Sequence, residues 1–356
     1  MKICYLGDAP SGHLRKFVDY FAGKGNEIHI ISLRPAKYNN AVVHPMPRIT
    51  GFDDWDYLLN IFWLRMVLRS IKPDILHAHY LTSYGLLGAL SGFHPLIVTT
   101  WGTDLLVTPK KSFIYRVLLR YTLKKADLIT DVAPFMNQEL LKFGADPERI
   151  LTSPMGVDTR IFQQEQIKFN KKLTSVLSMR ALIKNSNVET IIKAMHILKR
   201  SNLEVKLIIA NAGRLEKKLR MLVKDLELND VIQFTGPIEH SQTVKYFTSA
   251  DIYVSITSSD GASVALLEAM ACGAFPIVSD IPANREWIKN GENGFLIPLD
   301  DSHSLAEKIT LAACDQGLRE KAAHLNWQII NDKAKLEKNM VPLEEKYKFL
   351  IKEKNV

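Results

Sequence analysis

The chain has 356 residues with 47% hydrophobic and 24% charged residues, a size of about two domains and a composition that excludes a disordered or fibrous protein. Its net charge of +8 suits acidic ligands or an anionic membrane surface, and no nucleic-acid-binding motif accompanies that charge. Three widely spaced cysteines, Cys4, Cys272 and Cys314, form no C-x-x-C pair, which argues against a disulfide framework or zinc site and for a reducing compartment.

The apolar start ICYLG reaches Asp8 too soon for a signal segment, so a cytoplasmic location is expected. The runs KICYLG, EIHIIS, ILHAHY, LIVTTWG and LITDVA read as strands, with helices over 13–24, 56–71, 112–125 and 135–143 between them. After the first strand, Gly12 and His13 stand at a helix start. Gly12 is either a plain turn residue or a point of close backbone approach. The D-x-D-like string Asp53-Asp54-Trp55-Asp56 precedes an amphipathic helix and is better explained as helix-start capping than as a metal site. His77 and His79 end a strand on one face. No third ligand accompanies them, so they read as a packed, hydrogen-bonded pair rather than a metal site.

The uncharged stretch Tyr80–Thr103 is long enough to raise the question of a membrane span. Gly85, Gly88, Gly92 and Pro95 divide it into a small-residue helix and a buried strand. Residues 109–127, PKKSFIYRVLLRYTLKKAD, form a basic amphipathic helix. Such a helix packs its apolar side on a sheet, contacts an anionic membrane, or does both.

The Pro- and Gly-bearing stretch SPMGVDTRIF and the polar QQEQIKFNKK read as an interdomain linker. A second alternating set follows: SVLSMRA, VKLIIAN, VIQFTG, DIYVSIT and FPIVSD, with helices around 188–200, 214–227, 241–249 and 262–272. Repeated strand–helix alternation implies parallel sheets covered on both faces. The expected architecture is therefore α/β: two doubly wound Rossmann-like domains, 1–165 and 166–335, facing across a cleft, with ligands at the carboxyl ends of the strands.

The most informative segment is SSDGASVALLEAMACGAFPIVSDIPANRE, residues 258–286. Asp260 sits in a loop, and Glu268 lies in an apolar helix that Gly273 ends. Ser263 is placed to cap that helix. A helix start gathers free N–H groups and the positive dipole end, which suits an anion. Glu268 lies five residues further in, about 7.5 Å along the axis. That offset suits a nucleotide diphosphate sugar, although a plain βαβ unit shows the same pattern.

This segment, with NGENGFLIP after it, resembles the E-x7-E signature of the retaining family 4 glycosyltransferases, with Asp260 in place of the first Glu. The likeness extends over nearly the whole chain and implies the GT-B fold, whose last helix, about 336–356 here, crosses back onto the first domain. It implies a retaining, metal-independent transfer from a UDP- or GDP-sugar to a glycan or glycolipid acceptor in surface polysaccharide or glycoconjugate assembly. The transferred unit would be a hexosyl or N-acetylhexosaminyl group. No cofactor is implied, and the departing phosphate itself would take the acceptor's proton.

Residue by residue, the resemblance places Arg180 on the donor phosphates, with Lys184 as the nearest cation though out of the family's register. Gly12 falls at the turn approaching the donor. Ile238 falls beside the nucleobase, the backbone of Ser263 and Val264 at the diphosphate, Glu268 at the ribose and Asp260 near the sugar hydroxyls. Asp104, in Trp101-Gly102-Thr103-Asp104, stands near where the family often has a reacting-centre histidine, and would replace a polar contact to sugar or acceptor. These departures leave open an alternative: a non-catalytic nucleotide-sugar-binding partner of another transferase. A dinucleotide oxidoreductase is disfavoured because no G-x-G-x-x-G follows either first strand.

Overall fold

The computed structural model describes residues 1–163, 173–201 and 203–354. The expected boundary at 165/166 and the linker residues 164–172 lie outside the described residues. Contacts divide the chain into Met1–Met155 with Glu337–Val356, and Gly156–Leu336.

The first unit holds seven parallel strands: β1 Lys2–Leu6, β2 Glu27–Ser32, β3 Val42–Pro45, β4 Ile75–His79, β5 Leu96–Thr99, β6 Leu128–Asp131 and β7 Ile150–Thr152. Their order is β3-β2-β1-β4-β5-β6-β7. The second unit holds β8 Thr174–Ser178, β9 Val205–Ala210, β10 Ile232–Gly236, β11 Ile252–Ser255, β12 Phe275–Ser279 and β13 Phe295–Ile297, in the order β10-β9-β8-β11-β12-β13. Both are doubly wound. The central strands β4, β5, β11 and β12 are buried along their full length, as expected for parallel sheets with helices on both faces. In each unit the winding direction reverses beside its first strand, between β1 and β4 and between β8 and β11. Loops diverge there and leave a crevice at the carboxyl ends of the strands.

The uncharged stretch after β4 becomes a π-helical turn Tyr80–Tyr84, the helix Gly85–Ser91 and β5. No described helix is long and apolar enough to cross a membrane. The basic stretch is not one helix: the extended backbone of Ser112 divides it into Thr108–Lys111 and Phe113–Lys125, and the Ser112 hydroxyl caps the second by accepting from Ile114 N at 3.1 Å.

The closing helix Leu336–Lys354 runs through Pro342. It packs on the first unit: Tyr20 donates to Glu344 Oε2 at 3.2 Å, and Tyr347 stacks on Phe21 at 4.9 Å. Tyr347 also hydrogen-bonds His77 Nδ1 in the interior.

Candidate active site

In the second unit, the loops leaving β8 and β11 meet at the sheet's switch point. Arg180, two residues past β8, places Nη2 2.9 Å from Asp260 Oδ2. Their side chains are only 20% and 14% exposed. Asp260 Oδ2 accepts no well-aligned hydrogen bond, so the contact is one of charge. Burial pulls the Arg180 guanidinium down most strongly, but the charge of Asp260, the nearby Tyr253 and the Asp260 contact together raise the pKa, which keeps the arginine cationic.

Three devices hold these loops together. Asn185 donates to Thr257 Oγ1 at 3.1 Å and to the Ser259 carbonyl at 2.9 Å, and accepts from Ser258 Oγ at 2.6 Å. Ser279 donates to the Thr257 carbonyl at 2.6 Å. On the other side, Leu182 N–H donates to Ala212 O at 3.0 Å and Leu215 N–H to Leu182 O at 3.0 Å. Gly213 lies against the Leu182 backbone so closely that a Cβ there would stand 2.5 Å from its oxygen. Sequence reasoning missed both Asn185 and Gly213. The signal for Asn185 was an amide side chain in a loop after a central strand; Gly213 carried none beyond its position after β9.

The helix Val264–Ala271 starts as expected, with Ser263 capping through its hydroxyl, which accepts from Leu266 N at 3.3 Å. One expectation is corrected. The Val264 amide, assigned to the diphosphate, already donates to Ala262 O at 3.1 Å across a tight turn. Glu268 is 6% exposed within this helix, buried rather than in open solvent. Ile238 is half-buried and packs with the apolar cluster that includes Leu177, Phe247 and Leu267. Lys184 is exposed at the start of a short turn, Lys184–Ser186.

In the first unit, the switch point between β1 and β4 carries an aromatic cluster. His13 stacks on Trp101 at 4.6 Å, and His79 on Trp101 at 5.6 Å. Trp101 Nε1 can only donate, and it lies 3.3 Å from His79 Nδ1, so the other ring nitrogen, Nε2, carries the proton in neutral His79. That Nε2 is buried without a partner. Burial, then the nearby His13, pushes the His79 pKa down to about 3. His77 Nε2 meets Thr99 Oγ1 at 2.6 Å, and burial followed by His79 drives its pKa well below the usual imidazole range. The two histidines are therefore a packed, neutral, hydrogen-bonded pair.

Asp104 is placed otherwise than expected. Its Oδ1 accepts from Thr100 Oγ1 at 3.0 Å, Trp101 N at 3.0 Å and Gly102 N at 3.1 Å, and its Oδ2 from Leu81 N at 2.8 Å. Burial raises its pKa despite these bonds. Both oxygens accept hydrogen bonds that clamp the loops after β4 and β5, so Asp104 holds Trp101 in place. Gly12 opens the helix Gly12–Gly23, capped by Ser11, and a Cβ there would meet nothing within 4 Å. The fold therefore does not demand glycine at that point.

The D-x-D-like string is also corrected in detail. Asp56 does not cap its own helix start. Its Oδ1 accepts from Ile49 N at 3.2 Å, Thr50 N at 2.7 Å and Thr50 Oγ1 at 2.8 Å, folding the preceding loop onto the helix. Among the described residues no group of three or more histidine, cysteine, aspartate or glutamate side chains is placed to hold a metal ion.

Two family models match the chain: one described as glycosyl transferases group 1, over residues 159–325, and one as glycosyl transferase 4-like, over residues 2–132. A Salmonella typhimurium protein, WcaL, provisionally named a colanic acid biosynthesis glycosyltransferase, is 28% identical over 293 residues, 74% of this chain and 70% of that protein. The capsular polysaccharide biosynthesis glycosyltransferase CapM of Staphylococcus aureus is 23% identical over 369 residues, 96% of this chain and 94% of that protein. Among solved structures, Anabaena HepE in complex with UDP-glucose superposes with a TM-score of 0.82 at 16% identity, covering 98% of this chain and 100% of that one. At that identity the likeness is one of fold.

Proposed function

We propose that this chain, which belongs to the family 4 glycosyltransferases and has their GT-B fold, moves a hexosyl or N-acetylhexosaminyl unit from a UDP- or GDP-sugar to a glycan or lipid-linked acceptor. The transfer retains the anomeric configuration, needs no metal ion, and serves surface polysaccharide or glycoconjugate assembly at the cytoplasmic face of a membrane. The basic segment 109–127 makes the peripheral contact with that membrane.

One observation carries the reading. A charged arginine, Arg180, is fixed 2.9 Å from Asp260, next in sequence to a Ser263-capped helix that holds Glu268. A departing diphosphate needs positive charge already in place, because aligned charge costs no reorganisation when the bond breaks. Arg180 supplies it with a planar fork suited to phosphate oxygens, and the helix start adds its dipole. Glu268 accepts from the ribose hydroxyls. Asp260 aims Arg180. The departing phosphate takes the acceptor's proton on the face it leaves, so the protein's work is electrostatic and positional. Removing one such preorganised donor costs on the order of 3 kcal/mol in the barrier. The names of WcaL and CapM support a polysaccharide acceptor, and the UDP-glucose bound to HepE supports a uridine donor.

The test is calorimetric titration with UDP-, GDP- and ADP-sugars, followed by transfer assays with the donor that binds. Glu268→Ala should weaken donor binding strongly and cut turnover while the protein stays folded. Unchanged binding would remove Glu268 from the ribose, and product with inverted anomeric configuration by NMR would overturn retention.

A further inference from the structure

The segment from Phe52 to Ile71 has its polarity turned outward. It forms the helices Asp53–Leu59 and Ile61–Ile71. The backbone ladder continues through the junction, with Asn60 N–H donating to Asp56 O at 3.2 Å and Leu64 N–H to Asn60 O at 2.8 Å. Successive residues therefore turn by about 100° throughout. Counted this way, Trp55, Leu59, Phe62 and Met66 fall within an arc of about 60°. All four are exposed: Phe62 at 77%, Trp55 at 62%, Met66 at 60% and Leu59 at 48%. The opposite, buried face begins with polar groups, Asp56 and Asn60, before Leu64, Leu68 and Ile71. Asn60 donates to Pro47 O at 2.9 Å and to Asp56 O at 2.8 Å. Asp56 holds the Ile49–Thr50 loop as described above. The inward face carries these hydrogen bonds, with Asp56 Oδ2 and Asn60 Oδ1 buried without a partner, and the apolar stripe faces out.

Cations border the stripe. Arg65 and Arg69 follow it at helical spacing. They line a cavity of about 700 Å³ together with Lys72 and Lys354, against one carboxylate, Asp74. Arg65 donates to Leu90 O at 2.8 Å and Ser91 O at 3.1 Å, which fixes the cradle to the end of the helix Gly85–Ser91. That same helix packs against Phe113–Lys125. There Phe113, Ile114 and Val117 are also exposed, beside Arg116 and Arg120.

We propose that the outward face of residues 52–66 seats the first unit on an anionic lipid bilayer. Trp55, Phe62 and Met66 enter the interface, and the Arg65–Arg69–Lys72–Lys354 cradle takes a phosphate-bearing headgroup. Aromatic and apolar side chains ringed by arginine and lysine match the headgroup–acyl boundary in both polarity and charge. A second copy of the chain fits worse. A two-fold contact buries the same patch of both copies, so it would bring two cation-bordered surfaces together. The surface extends the membrane contact proposed for 109–127 and rests on that reading for the shared bilayer. Vesicle binding is read without turnover, so its failure leaves the transfer chemistry standing.

The full chain is floated with phosphatidylcholine vesicles, with and without phosphatidylglycerol. Wild type should bind the anionic vesicles and release in high salt, and brominated lipid should quench tryptophan emission in wild type more than in Trp55→Phe. Trp55→Ser/Phe62→Ser should lower partitioning about tenfold or more, equivalent to ~1.4 kcal/mol. Its unfolding temperature should stay unchanged, because both residues are exposed. Arg69→Gln/Lys354→Gln should weaken binding to anionic vesicles and leave the neutral ones as they were. Wild-type binding by Trp55→Ser/Phe62→Ser would overturn the proposal. So would a wild-type dimer in ultracentrifugation that this double variant dissociates while vesicle binding is absent.

Discussion

Gly213→Ala tests the link between packing and chemistry in the second unit. The added Cβ would lie 2.5 Å from Leu182 O and 2.7 Å from Leu182 C and N. All three are backbone atoms, so no side chain can swing away. The gap must open by roughly 0.8–1 Å to reach ordinary contact. Overpacking of that kind costs about 1–3 kcal/mol. The shift also strains the bonds Leu182 N–H to Ala212 O and Leu215 N–H to Leu182 O, each contributing about 1 kcal/mol. A total loss of ~2–4 kcal/mol should lower the unfolding temperature by about 2–4 °C per kcal/mol. Arg180 is two residues before Leu182. A displacement of its loop by about 1 Å is enough to cost ~100-fold in rate when geometry governs catalysis. Calorimetry and kcat/KM with the identified donor measure the two effects on one preparation. Gly23→Ala, where no atom lies within 4 Å of the new Cβ, serves as the control and should change neither. A Gly213→Ala protein with wild-type melting would show that the loop yields easily. Lowered melting with unimpaired kcat/KM would uncouple the loop from Arg180 and refute the reasoning.

Two further outcomes follow from the charges. His79 titrates at about 3 when folded, against ~6.5 for free imidazole, and the shift of His77 has the same sign. Below pH ~6.5 the unfolded chain binds protons that the folded chain refuses, so stability is full above that pH and falls as pH drops toward 3, by up to ~1.4 kcal/mol per pH unit for each histidine. Urea unfolding at several pH values should show that slope, and His79→Phe should flatten it; identical pH dependence in the two proteins would contradict the neutral pair. Asp104, raised by burial, acts in the opposite sense, losing stability as its folded pKa is exceeded. Turnover should survive exhaustive chelation, whereas loss restored only by a divalent ion would place a metal at the diphosphate.

Sequence alone was enough to read what depends on short-range pattern. Strand–helix alternation gave the inner strands of both sheets, because a parallel strand buried on two faces leaves an apolar run such as LIVT or FPIVS; the short edge strands β3, β7 and β13 were not read. Ser263 was readable as a cap because capping needs one hydroxyl at one position. What stayed hidden depends on which loops meet in space. Asn185 bonds to residues 72 to 74 positions away, and nothing in its neighbours announces a partner. Asp104 looked available because loop carboxylates usually face water; its four donors come from two loops that only the fold brings together. The amphipathic reading of 56–71 was correct in period and silent in sense, since a hydrophobic stripe does not say whether it faces protein or lipid. In this protein Asp56 and Asn60 lie on the buried face and the apolar stripe lies on the exposed one.

The single methylene lost at Asp260 has a consequence of its own. A carboxylate at this position has two destinations, the sugar hydroxyls or a nearby cation, and in this protein it meets Arg180 at 2.9 Å. Asp260→Asn preserves shape and removes charge. Arg180 then stays mostly buried with its charge uncompensated. Breaking a fully buried pair costs about 3–5 kcal/mol, and partial solvent access reduces that to ~1–3 kcal/mol. A nucleoside diphosphate would replace the lost anion, and it would no longer compete with a carboxylate. Both effects act in the same direction, so the variant should be less stable when free yet bind UDP more tightly, by up to about tenfold for ~1.4 kcal/mol. Turnover should still fall, because the arginine is no longer aimed at the leaving oxygen. Titration of UDP into both proteins, alongside kcat, separates the possibilities. If UDP affinity and turnover fell together, Asp260 would be holding the ligand directly, and Arg180 would owe its position to something else.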